Sequence, residues 1–144
     1  MSDGKLGHWL AIAASLVVLS TVVAAIAVIG SPSAQRDAKL DHKRVRDLSR
    51  IVHAASSYAG HENALPRDLA TLAGQPGMRL SIVDPADGSP YTYEVTGDRT
   101  FRLCAVFATD TARTADEPWG GDEWSHGAGR HCFDRKTRNT DGQR

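Results

Sequence analysis

The sequence lacks a surplus of either charge: 17 Lys and Arg stand against 17 Asp and Glu. Nothing in that balance gathers nucleic acid, so none is expected as a partner. The compact catalytic signatures are missing as well. There is no G-x-S-x-G elbow, no P-loop, no G-x-G-x-x-G and no H-E-x-x-H. His53, Ser56 and Ser57 share one neighbourhood, but such a group is a polar helix surface far more often than a triad. The expectation is a protein that is not an enzyme, with no catalytic residue, no cofactor and no small-molecule substrate. Large aromatics are scarce too, with three each of Trp, Tyr and Phe in 144 residues. That limits the core, and a small domain with a thin core is marginal without an added constraint.

Cysteine is nearly absent, and the two that occur are Cys104 and Cys132. Two cysteines in an exported domain suggest a bonded pair. Closing a loop of roughly 29 residues is worth about 3.5 kcal/mol in the chain-entropy description. Two free buried thiols are the alternative, and a reducing compartment would favour them. His126 and His131 could join the cysteines around zinc. The H-x4-H-C spacing matches no familiar zinc pattern, however, and a tight site needs three or four convergent ligands. The plainer reading puts His126 beside Trp124 in a surface loop. Asp110, Asp116, Glu117, Asp122 and Glu123 crowd the segment 110–123 without EF-hand spacing, and scattered loop acids are usually just solvated. No metal ligand is assigned.

What the chain does have is one long uncharged run, WLAIAASLVVLSTVVAAIAVI at residues 9–29. About twenty residues at roughly 1.5 Å rise cross a hydrocarbon core of roughly 30 Å. A soluble core helix of that length would show a polar face, and this one has none. Its polar side chains, Ser15, Ser20 and Thr21, can bond back to helix carbonyls. The leader MSDGKLGH holds one lysine, and the apolar region exceeds the 7–15 residues usual for a signal peptide. A retained anchor in the lipid bilayer is expected. Small residues along it (Ala11, Ala14, Ser15, Ala24, Ala25) permit close contact with the helices of other membrane proteins.

Beyond the span, Ser31 is a natural N-cap and Pro32 suits the first helical position. Leu40, Val45, Leu48, Ile51, Val52, Ala55 and Ala59 recur at three and four residues, the stripe of an amphipathic helix. Arg44, Arg46, Asp47 and Arg50 are read as lying mostly off that stripe. Gly60 is the expected C-cap. Residues 65–72 read as a short helix opened by Pro66 and closed by Gly74, followed by a short strand at 79–83. Asp84 to Pro90 is dense in turn formers. Residues 91–95 and 101–107 alternate as two strands joined at Gly97, which is free to take positive φ. Phe101, Leu103, Ala105 and Phe107 share one face and should lie on the helix stripe. Residues 130–134 pair as a last strand. The expected fold is α+β: leader 1–8, transmembrane helix 9–30, amphipathic stalk helix 31–60, small domain with an antiparallel sheet 61–134, and flexible tail 135–144.

That order of parts, with L-P-x-x-L-x-x-L at 65–72 and D-P-x-x-G-x-P-Y-x-Y at 84–93, resembles bacterial type II secretion major pseudopilins and related type IV pilin-like proteins over residues 10–107. The chain lacks the family's peptidase motif: Gly7 precedes His8, and no glutamate occurs in residues 9–29. The ending W-S-H-x-x-G-x-x-C-F at 124–133 is not a hallmark of the family. The resemblance implies a structural or assembly role through protein–protein contacts. An accessory single-span subunit of a large respiratory, photosynthetic or secretion complex is the alternative. Basic residues close behind the span favour a cytoplasmic domain under the positive-inside rule. The cysteine pair and the resemblance together place the domain in the periplasm instead, anchored in a bacterial inner membrane.

Overall fold

Residues 9–29 have no means of pairing their backbone except with themselves, and the helix they form is α1, Asp3–Ile29. It begins before Trp9 because residues 4–8 contain no proline to stop it. Ser15 and Ser20 donate to the carbonyls of Ala11 (2.9 Å) and Leu16 (2.7 Å), and Thr21 to that of Val18 (2.8 Å). α1 is long and apolar enough to cross a membrane. The computed structural model describes residues 3–29, 31–112 and 122–137. The chain forms two compact units, Met1–Arg36 and Asp37–Arg144.

α2, Pro32–Glu62, opens as its first residues dictate. The Ser31 hydroxyl accepts from the Ala34 N–H at 3.2 Å, and Pro32 takes the position that needs no donor. The helix runs through Gly60. The left-handed residue that ends it is Asn63, at φ 53°. Asn tolerates that conformation, so the glycine is not required. α3, Leu69–Ala73, starts three residues after Pro66 because the Asp68 carboxylate accepts from the Thr71 N–H at 2.6 Å and makes Asp68 the N-cap. Gly74 closes it as expected.

Three antiparallel strands follow in the order β1-β2-β3: β1 Thr92–Gly97, β2 Thr100–Phe107 and β3 Gly129–Lys136. Residues 79–83 form no strand and contribute only the bridge Val83 to Pro90. The β1–β2 register shifts between Val95 and Gly97. Gly97 does not use positive φ there. It is needed for space, since a Cβ would stand 2.6 Å from the Thr100 Oγ1. β3 passes the expected end at Asp134 because Arg135 and Lys136 pair with Phe101 and Thr100, and Thr137 then donates its N–H to the Arg99 carbonyl at 2.9 Å. The remainder of the expected tail, 138–144, lies outside the described residues.

The core joins the two apolar faces. Leu48, Ile51, Ala54 and Ala55 of α2 share one buried cluster with Phe101, Leu103, Ala105 and Phe107 of β2, and with Leu69, Leu72, Tyr91 and Phe133. On the other face of β2, Arg102 is half-buried and Val106 is exposed, as the alternation requires. Cys104 faces that way too, but is covered by its bond to Cys132.

Candidate functional site

Three consecutive turns of α2 present Asp41, Arg44 and Leu48 to the interior, so the buried stripe opens with ions rather than leucines. Arg44 and Asp47 are buried, not off the stripe as their charge suggests. The physical reason is pairing. Arg44 donates Nε to Asp84 Oδ2 (2.6 Å), Nη2 to Asp84 Oδ1 (2.9 Å) and Nη1 to Asp41 Oδ1 (2.6 Å). Asp41 Oδ2 also accepts from the N–H groups of Ala108 (3.1 Å) and Thr109 (2.7 Å), and from the Thr109 hydroxyl (2.6 Å). Asp84 Oδ1 accepts from the Ala86 N–H at 2.8 Å. Beside them the Tyr91 hydroxyl donates to Asp47 Oδ2 at 3.4 Å.

The cluster ties three segments into one joint: α2, the 84–91 turn and the end of β2. Burial pushes the Asp41 carboxyl up, but bonds from Thr109, Ala108 and Arg44 outweigh it and hold the group below the usual range. Asp84 is likewise desolvated, yet Arg44 and the Ala86 N–H keep it low. Two carboxylates hold Arg44 firmly charged. Burial, then the Asp47 charge, pushes the Tyr91 phenol up. These shifts favour the charged forms of Asp41, Asp84 and Arg44 and the neutral form of Tyr91. A cavity of about 160 Å³ borders it, lined by Arg44, Asp84, Ser89, Tyr91, Cys104 and Arg130 among others. An open depression of about 610 Å³ lies at 63–65 and 95–98.

The expected pair is bonded. Cys104 and Cys132 stand opposite each other on β2 and β3, Cα atoms 4.0 Å apart. With both sulfurs used, the zinc set dissolves, and its histidines face other work. His126 is buried, not in a surface loop. Its ring stacks on Phe107 with centroids 3.7 Å apart, its Nδ1 has no hydrogen-bond partner among the described residues, and desolvation lowers its pKa. Its backbone is clasped by Thr111, whose N–H donates to the His126 carbonyl at 2.9 Å and whose hydroxyl accepts from the His126 N–H at 3.1 Å. Trp124 meets Phe133 edge-on at 4.9 Å, and the Arg135 guanidinium lies 4.2 Å over the Trp124 ring. The W-S-H-x-x-G-x-x-C-F segment thus packs its first residue, Trp124, on the strand β3 that its last residues enter.

Among the described residues, no three His, Cys, Asp or Glu side chains gather as a metal site. Of the acidic candidates, Asp116 and Glu117 lie outside the described residues. Asp110 and Glu123 are described, and the Glu123 carboxylate is 3.6 Å from Arg135 Nη1. His53 and Ser57 are exposed on α2, while the Ser56 hydroxyl donates to the Val52 carbonyl at 2.8 Å. The ionic joint is what sequence reasoning missed. Its signal was the spacing of Asp41, Arg44, Leu48, Ile51 and Ala55, which continues the apolar stripe without a slip. No family model, curated protein or solved structure matches this chain.

Proposed function

We propose that the chain is a non-enzymatic, single-pass membrane protein whose small domain, of the pilin or pseudopilin kind, serves a structural or assembly role through protein–protein contacts. Its place is a bacterial inner membrane, with the domain on the periplasmic side. One observation carries the reading. Three side chains of the 84–93 segment help hold the domain together: Asp84 bonds to Arg44, Tyr91 to Asp47, and Tyr93 to the Pro66 carbonyl at 3.0 Å. A turn used in this way builds a surface rather than a reaction centre. The long apolar α1 and the Cys104–Cys132 bond support the placement.

The test is purification of the full chain from membranes in mild detergent, with its companions identified by mass. Co-elution in fixed ratio with filament or secretion components is the expected result. A chain that elutes alone contradicts the reading, and co-elution with respiratory or photosynthetic subunits transfers the role to an accessory subunit.

A further inference from the structure

The buried ions of α2 leave a second, opposite pattern on its surface. Lys39, Lys43, Arg46 and Arg50 are all exposed, and their spacing of four, three and four puts them on one side of the helix. None of the four makes an ion pair among the described residues. The acids of the same segment are not available to neutralise them. Asp41 and Asp47 face the interior, and only half-buried Asp37 remains near the stripe. A neutral chain therefore carries a strip of four cations about 17 Å long.

The character of the strip selects its partner. A protein interface needs an apolar or aromatic anchor at its centre, and no large apolar side chain lies on this line. Long, unpaired Lys and Arg side chains without an anchor suit a diffuse anionic surface instead. Lys39 is the tenth residue after Ile29, so the strip follows closely in sequence on the segment read as crossing the bilayer. We propose that the exposed face of α2 binds the anionic phospholipid headgroups of that bilayer. The proposal rests on the membrane reading of α1.

The full chain reconstituted into nanodiscs tests it. Amine labelling of Lys39 and Lys43, read by mass, is compared between discs of phosphatidylcholine alone and discs of equal phosphatidylcholine and phosphatidylglycerol. Labelling at least about threefold slower in the anionic discs, with the protection lost in about 0.5 M salt, is the expected result, since screening at that strength reaches only a few ångströms. The double variant R46E/R50E should lose most of the protection while keeping its melting temperature, because neither side chain is buried. Equal labelling in the two lipids overturns the proposal and leaves the membrane reading standing. A chain that does not enter discs at all overturns both.

Discussion

Arg44 meets two carboxylates in a largely buried place, and removing it would take from both their charged partner. Breaking a buried pair by deleting one partner typically costs about 3–5 kcal/mol. Arg102 and Asp134 are also in contact, at 2.8 Å, but their side chains are 43% and 68% exposed. Such a pair is worth about 0–1 kcal/mol. Arg44→Met should therefore lower the melting temperature of the full chain in detergent far more than Arg102→Met, and equal losses would deny the joint. The titrating groups set a pH window. His126 has a folded pKa below its ordinary value of about 6.5. Its contribution is intact above about pH 6.5 and is lost as pH falls through the folded value, because the unfolded chain takes the proton first. Asp41 and Asp84, held low, follow only in stronger acid. Melting temperature should start to fall just below about pH 6.5, and His126→Phe should remove that first step. A wild-type melting temperature that stays flat between pH 7 and 5 would count against the buried, neutral ring.

At the scale of elements, period carried most of the reading. The stripe of α2 and the alternation of β2 needed no tertiary information, and both faces meet in one core. Boundaries were less legible because they depend on single side-chain bonds. Asp68 rather than Pro66 opens α3, and Asn63 rather than Gly60 ends α2, each decided by local geometry. The ionic joint was hidden for a different reason: charge was read as exposure, yet Arg44 finds Asp84 forty positions away. Nothing local announces such a pairing. The register itself gives a contrast to measure. Leu103→Asp would bury an unpaired charge in the core and should cost about 3–5 kcal/mol or more, enough to unfold the domain. Arg102→Asp sets like charges against Asp134 and Glu94 on the outer face and should cost about 1 kcal/mol. Thermal melts of both variants decide, and a larger loss at Arg102 would mean that the strand presents its other face to α2.

For the whole molecule, the claim is that a thin domain survives by staples and serves beside a membrane. The cross-strand bond joins β2 to β3 on the face that the core does not cover, and the ionic joint secures Ala108 and Thr109, just past the end of the same strand, to α2. The disulfide depends on placement, since it persists only where thiols are kept oxidised. Membrane retention and oxidation are therefore one claim, and one measurement addresses it. Membranes from bacteria expressing the full chain are washed in carbonate, denatured without reductant and treated with a thiol-alkylating reagent. The mass of the chain in the washed pellet is then determined. The account predicts that the chain remains in the pellet and gains no alkyl group. Two alkyl groups on the pelleted chain, or its release into the wash, would contradict it.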